Sequence, residues 1–349
     1  MVYEYLKDCY TILSFHWTGS AFKKLKHHVS LDKSGLPRII PIELRRVILE
    51  RDRRHFLACL TILALHRAIS WWPKVDLSTV VAPFDGLYRS LDEQILLKGK
   101  RGLNALAGRH VDSGLKMLRP KFLNILTSSP NGKVSLDTAF FDAGVFLYYP
   151  KHLFRLLQWN WINKGWTVLA VFLTLIFMAM LLEIIALPYS LLYYYRSRKG
   201  YKITSEEREL MSYGIFGKGH LGKLSIVKDV PGKSRVVGIT NYWIQVSLKP
   251  LHDSILELIK HVSTDGTFDQ EGAINKLPNG PNEKYSSFDL SAATDRLPIE
   301  IQKDILSLFI GKEKAKIWAS VLDIPFFYKG EYIRYSVGQP MGAYSSWAM

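Results

Sequence analysis

The pattern of apolar and polar positions changes along the chain from helical spacing to an unbroken apolar run and then to shorter alternating segments, and these changes mark its regions. "PIELRRVILERDRRHFLACLTILALHRAI" (41–69) has a cationic first half and an apolar second half, and Pro41 suits a first helical turn, so one long helix is predicted there. Residues 1–165 read as mostly helical. "WTVLAVFLTLIFMAMLL", Trp166 to Leu182, then runs seventeen residues without a charge, and after Glu183 the apolar character resumes through "IIALPYSLLYYY". A run hydrophobic on every face is buried either in protein or in lipid. Its length is at the lower limit for crossing a bilayer, and Lys164, Arg196, Arg198 and Lys199 flank it as interfacial cations do. Membrane contact through Trp166–Tyr195 is the expectation, with Glu183 and Pro188 standing against it.

Beyond Tyr201 the segments shorten and turn residues punctuate them. "KLSIVKDVPGKSRVVGIT" (223–240) reads strand, Pro-Gly turn, strand. "NYWIQVSLKPLHDSILELIKHV" (241–262) is a helical pattern broken at Pro250, and "STDGTFDQ" (263–270) is a polar turn with Asp265 and Asp269. "KYSSFDL" (284–290) reads as a short strand ending at Asp289. A helix beginning near Pro298 carries Leu297, Ile301, Ile305 and Leu308 as its apolar stripe and stops at Gly311. "IPFFYKGEYIRYSV" is a hairpin turning at Lys329-Gly330. The predicted fold class is α+β: a helical region 1–165, a hydrophobic segment 166–200, a region with a basic hairpin at 201–283, and a last region 284–349. The turn cluster "SSPNGK" (128–133) is read as a division between subregions.

Composition narrows the class. The 349 residues are 48% apolar and 22% charged, which excludes wholesale disorder. A formal net charge of +15 suits a polyanionic partner, nucleic acid or an anionic membrane face. Cys9 and Cys59 are the only cysteines, too few for a disulfide framework or a cysteine zinc site, so a reducing interior is expected. The first seventeen residues contain Glu4 and Asp8 and lack the pattern of a signal or transit peptide.

Candidate chemistry gathers in the second half. "GKGHLGK" (217–223) matches two phosphate-loop patterns by letter, but both need a following helix, and "KLSIVKD" alternates like a strand. It is read as a flexible glycine loop. On the hairpin, a two-residue turn pairs Lys228 with Arg235 and puts Lys228, Lys233 and Arg235 on one face, a surface for phosphates. Asp289 and Asp295 form a D-x5-D pair around small residues; Asp295 alone is open to a helix-capping reading. Arg45, Arg46, Arg51, Arg53 and Arg54 either meet phosphates or form a solvated helix face. "GQPMGAYSSWAM" (338–349) ends the series with a Gly-Pro-Gly loop and two hydroxyls.

The order of these pieces (basic hairpin, D-x5-D, glycine loop with hydroxyls) resembles motifs F, A and B of viral RNA-directed RNA polymerases. The wording "KSRVVGITNYWIQ", "KPLHDSI", "TDGTFDQ", "FDLSAATDRLP" and "GQPMGAYSSWAM" is similar to the mitoviruses, which replicate inside mitochondria, chiefly of fungi. The likeness is dense from Lys223 to Met349. It implies the fingers and partial palm of a right-hand template-dependent polymerase, following the helical N-terminal region. By the same resemblance Asp289 holds catalytic Mg²⁺ (or Mn²⁺), and Asp295, with Ser345 or Ser346, reads the ribose 2′-OH of a ribonucleoside triphosphate. Lys228, Lys233 and Arg235 neutralise its triphosphate, while Gly338, Gln339, Pro340 and Gly342 position the RNA template and product. The host mitochondrion is the implied location. The family's motif C, Gly-Asp-Asp, occurs nowhere in the sequence, so the 349 residues are expected to be an incomplete and inactive piece. The alternatives are a non-enzymatic RNA- or membrane-binding remnant and a reverse transcriptase; Asp295, where reverse transcriptases place a bulky aromatic, argues against the latter.

Overall fold

In the computed structural model the described residues are 2–19, 28–67, 75–86, 93–107, 115, 119–199, 215–229, 233–278 and 285–349. They divide into two compact units. The first comprises residues 1–75 together with Ile226–Arg235, the second Asp76–Ser225 with Val236–Met349.

In the first unit, α1 (Val2–Thr18), α2 (Ile42–Leu49) and α3 (Arg53–Leu63) enclose a core that includes Ile12, Leu13, Leu36, Ile48, Phe56 and both cysteines. The single helix expected over 41–69 is two. Arg51 takes a left-handed φ of 64°, and Asp52 accepts from the Arg54 and His55 backbone N–H groups to start α3 anew. The cationic half therefore forms a separate helix. Its Arg45 guanidinium meets Asp32 at 2.5 Å, and Arg51 donates to the Trp17 carbonyl at 2.5 Å and lies 5.4 Å from the Trp17 ring centre. Burial pushes the Asp32 carboxyl up, but donors from Ser34, Leu36 and Arg45 outweigh it and hold the pKa at about 2.

The second unit is built on helices α4 (Ser78–Val81), α5 (Glu93–Ala107), α6 (Ala139–Val145), α7 (Pro150–Ile162) and α8 (Trp166–Arg198). They are followed in the chain by α9 (Tyr242–Ile259), α10 (Gln270–Asn275), α11 (Ala293–Arg296), α12 (Ile299–Ile310) and α13 (Lys312–Leu322). Trp159 on α7 donates its indole N–H to the Ser247 carbonyl at 2.9 Å, and Asn160 donates to the Ser247 hydroxyl at 2.8 Å, so polar groups as well as apolar ones fix α7 on α9. Pro250 does not break α9. The helix runs through it because Val246, Leu248, Leu251 and Ile255 are buried on both sides, and that packing outweighs the lost hydrogen bond.

α8 is one continuous helix through Pro188, but its two halves differ. Val168, Phe172, Ile176 and Ala179 repeat at helical spacing and are buried, with Phe172 4.8 Å from Trp243 and 5.3 Å from Phe146 between ring centres. From Ile184 onward Ile185, Leu187, Tyr189, Leu191, Leu192, Tyr194 and Tyr195 are exposed. Glu183 lies at the change and accepts from the Tyr148 hydroxyl at 3.0 Å and the Phe216 N–H at 2.8 Å. One face of the first half is thus packed in the protein, while Trp166, Val171, Leu173, Phe177, Met178 and Leu181 on its other faces are exposed like the second half. The helix is long and apolar enough to cross a membrane.

A four-stranded sheet has the order β2-β1-β3-β4, with β1 Gly222–Asp229, β2 Lys233–Thr240, β3 Phe326–Tyr328 and β4 Glu331–Ile333. β1 runs parallel to β3 with Gly222 opposite Phe326, and a Cβ at Gly222 would stand 2.6 Å from the Phe326 ring. Lys329 and Gly330, both at positive φ, make the predicted β3–β4 turn. "SSPNGK" lies inside the second unit and does not divide it: Ser129 donates to the Asp142 carboxylate. The glycine loop 217–223 is packed rather than flexible, since a Cβ at Gly219 would meet Val145 at 2.0 Å and Phe141 at 2.9 Å. Gly311, at φ 88°, ends α12 as predicted. The face α12 buries is Gln302 and Leu306, while Leu297 and Ile305 are 39% and 38% exposed; the apolar stripe is shifted from the predicted one.

Candidate active site

The D-x5-D segment begins as extended chain. Residues 285–290 form no strand, contrary to the periodicity, and Tyr285, Phe288 and Leu290 are exposed together with Asp289. Short runs of this kind become strands only when a neighbouring strand supplies hydrogen bonds. Ala292 then takes a left-handed φ of 51° and starts α11, which carries Asp295.

Asp295 is buried and does not cap the next helix, whose N-cap is Pro298. Its Oδ2 accepts from the Thr79 hydroxyl at 3.0 Å, and its Oδ1 is buried without a hydrogen-bond partner. Burial raises its pKa, against the opposing pull of the Thr79 hydrogen bond and the Arg296 charge. Arg296 donates to the Ala82 and Pro83 carbonyls at 2.6 and 2.9 Å, and Ser336 N–H donates to the Val80 carbonyl at 3.0 Å. The short α4 segment is therefore the platform on which Asp295 rests.

The glycine loop is laced to this segment by backbone. Gly338 N–H donates to the Asp295 carbonyl and Gln339 N–H to the Thr294 carbonyl, both at 2.9 Å, and Ile299 N–H donates to Val337 at 2.9 Å. Only glycine fits at 338, because a Cβ would lie 2.2 Å from the Thr294 oxygen. On its other side the loop meets β2: Gly238 N–H donates to the Met341 carbonyl at 2.6 Å. A Cβ at Gly342, where φ is 111°, would stand 2.9 Å from Val237. Gln245 on α9 spans the loop, donating to the Gly342 carbonyl and accepting from Tyr344 N–H, each at 2.8 Å.

Ser345 is fully buried at a positive φ of 79°. Trp318 donates to its Oγ at 3.0 Å and its hydroxyl faces Gln339 at 3.4 Å; Gln339 in turn donates to Gln302, which donates to the Leu297 carbonyl at 2.8 Å. This chain of polar groups fixes the loop from inside. Ser346 is half-buried and donates to the Ala343 carbonyl at 2.7 Å.

The fold thus brings together Asp295, Gly338, Gln339, Pro340, Gly342 and Ser345. Asp289 stands apart on the exposed segment. Arg235 is exposed, the hairpin tip Ile226–Arg235 belongs to the first unit, and the shared face proposed for Lys228, Lys233 and Arg235 lies in part outside the described residues, as do the side chains of Lys228 and Lys233. Thr79, Gln245, Gln302 and Trp318 were not singled out by sequence reasoning; Thr79 is 216 positions from its partner, beyond any local pattern. Gly238 did leave a signal, a lone glycine inside a β-branched strand, which marks close approach of another backbone.

As a metal site the described residues are incomplete. Mg²⁺ and Mn²⁺ take several oxygen ligands in octahedral geometry, and no group of three His, Cys, Asp or Glu side chains is placed to hold an ion among the described residues. Asp289 contributes one exposed carboxylate, and the Asp295 carboxylate is turned to Thr79.

Comparison with known proteins gives the family of the chain. Residues 115–349 match the family described as Mitovirus RNA-dependent RNA polymerase, and the chain belongs to that family of nucleotidyltransferases. It is 35% identical over 335 residues to the RNA-directed RNA polymerase of Cryphonectria parasitica mitovirus 1 (strain American chestnut tree/New Jersey/NB631), covering 93% of this chain and 38% of that protein. It is 32% identical over 101 residues to the uncharacterized mitochondrial protein AtMg01110 of Arabidopsis thaliana, covering 27% of this chain and 40% of that one. No solved structure matches. The chain therefore spans well under half the length of the relatives it matches.

Proposed function

We propose that these residues supply the fingers and part of the palm of an RNA-directed RNA polymerase that copies a positive-strand, mitovirus-like genome in the host mitochondrion. The observation that carries the reading is the backbone ladder between Asp295 and the Gly338–Gly342 loop, which holds the nucleotide-selecting and strand-positioning segments in one register. Lys228, Lys233 and Arg235 neutralise the triphosphate of the incoming ribonucleotide, and the loop supports template and product RNA. Asp295 selects ribose: its buried Oδ1 lacks a donor, and a 2′-OH is a donor that deoxyribose does not offer. Of the two loop hydroxyls, Ser346 is the one near the surface, and Ser345 shapes the loop. Asp289, with carboxylates from elsewhere in the polymerase, would hold Mg²⁺ or Mn²⁺, which when bound stabilises the attacking and leaving oxygens of nucleotidyl transfer. Membrane contact, in this reading, is through the exposed apolar residues of α8, which lie on both of its halves.

The net charge of +15 and the exposed apolar residues of α8 favour a second reading for residues 1–349 by themselves, that of a non-enzymatic RNA- or membrane-binding remnant. One experiment addresses both. With template, primer, nucleotides and Mg²⁺, residues 1–349 are expected to give no extension; extension abolished by Asp289→Asn would refute the remnant reading. In a polymerase that contains these residues together with motif C, Asp295→Ala should narrow the preference for ribonucleotides in kcat/KM, and an unaltered sugar ratio would return Asp295 to a purely structural role.

A further inference from the structure

A second basic site lies away from the Asp295–Gly338 joint. The "SSPNGK" turn and the "GKGHLGK" loop face each other across a cleft of about 570 Å³. Asn131 ties the two walls: its Oδ1 accepts from His220 N–H at 2.8 Å, and its Nδ2 donates to the His220 carbonyl at 3.0 Å and to Asp142 Oδ1 at 2.6 Å. The His220 ring is stacked on Phe327 with centres 4.0 Å apart and planes 6° from parallel, and its Nδ1 is 2.9 Å from the Tyr332 hydroxyl. The walls are therefore fixed before any ligand arrives.

Around the opening stand Lys133, Lys218 and Lys223, all exposed, with the hydroxyls of Ser128 and Ser225 beside them. Among the described residues no acidic side chain lines the cleft. Asp142, which accepts from the lining residues Ser129 and Asn131 and from Tyr242 N–H, is fully buried. Burial and the neighbouring Lys223 lower the His220 pKa. Cations, hydroxyls and a fixed amide, with no nucleophile paired to a base, make a binding site rather than a reactive one. The size falls in the range of about 300–1,000 Å³ usual for small-ligand sites, room for about one or two nucleotides of a single strand and too little for a duplex.

We propose that this cleft grips the sugar-phosphate backbone of a single RNA strand. The glycine loop that matches phosphate-binding patterns by letter meets phosphate here through lysine side chains on a packed loop, with no helix N-terminus involved. The choice of RNA as the polyanion rests on the polymerase reading; the cleft and its charge do not.

The test uses residues 1–349 and a labelled single-stranded RNA of about 12 nucleotides, with anisotropy read between about 50 and about 200 mM salt. The triple variant Lys133→Ala, Lys218→Ala, Lys223→Ala is expected to bind more weakly and to flatten the log–log salt slope by about 2, at about 0.7 per phosphate contact on a single strand. The variant Lys98→Ala, Lys100→Ala, Arg101→Ala on α5 removes the same charge and should keep the wild-type slope. Equal losses in both variants, or an unchanged slope in the cleft variant, would overturn the proposal. A labelled ATP analogue separates this outcome from the polymerase reading. ATP binding should survive in the cleft variant and fall with Lys228→Ala, Lys233→Ala, Arg235→Ala; survival in the hairpin variant counts against the triphosphate role alone, and loss in the cleft variant counts against a strand-specific cleft. All the cleft substitutions are at exposed positions, so a matching thermal midpoint is the expected folding control.

Discussion

Replacing Gly338 with alanine strikes the joint between the D-x5-D segment and the glycine loop without altering any charge. The added Cβ would lie 2.2 Å from the Thr294 oxygen and 2.6 Å from the carbon and oxygen of Asp295. Real Cβ atoms do not approach so closely, and the opposing atoms are backbone, so no side chain can swing aside. The two strands of chain must separate, which breaks or lengthens the Gly338–Asp295 and Gln339–Thr294 hydrogen bonds. Two such bonds are worth about 0.5–1.5 kcal/mol each, and overpacking adds about 1–3 kcal/mol. A loss of roughly 2–6 kcal/mol follows, a large part of a domain's usual stability. Denaturant unfolding followed by circular dichroism measures it directly. Gly330→Ala is the matched comparison: its φ is also positive, at 95°, but a Cβ there meets nothing within contact distance, so only backbone strain of about 1 kcal/mol is expected. Equal midpoints for Gly338→Ala and wild type would refute the claim that this backbone contact holds the two segments in register.

Two further expectations concern buried charge and exposed apolar surface. Burial lifts Asp142 from its ordinary 3.8 to about 6 against the opposing donors Asn131, Tyr242 and Ser129. A folded pKa above the unfolded one favours folding fully below about pH 4 and loses that contribution as pH rises through about 6. At about 1.4 kcal/mol per pH unit this is on the order of 3 kcal/mol, so stability should fall across that window and Asp142→Asn should flatten the profile; an unchanged profile would show that Asp142 is not its source. For α8, the chain is expected to stay with membranes through an alkaline carbonate wash and to be released when Ile184, Ile185, Leu187 and Leu191 become serine, whereas recovery of the unaltered chain in the supernatant would assign those exposed residues to a protein contact.

How much of this was legible depended on how local the cause was. The Lys329-Gly330 turn and the stop at Gly311 follow from backbone preference within a few residues, and both stand as read. The order of the basic hairpin, D-x5-D and the Gly-Pro-Gly loop was enough to point to the family. The helix over 41–69 failed at a local signal that was present but outweighed, Asp52 acting as an N-cap in mid-pattern. The strand expected at 285–290 failed for want of a partner, which periodicity does not reveal.

What the sequence by itself determined is the set of segments, their order and the residues that carry charge, because side-chain chemistry and short-range backbone preference are written position by position. Tertiary structure alone decided that Asp295 turns to Thr79 rather than to a helix end, that Gly338 and Gly238 are where backbones touch, and that one face of the first half of α8 is packed in the protein. It also turned two unremarkable loops into the facing walls of one basic cleft. Each of those outcomes depends on groups far apart in the chain meeting at hydrogen-bond or van der Waals distance, and only the closed fold sets which groups meet.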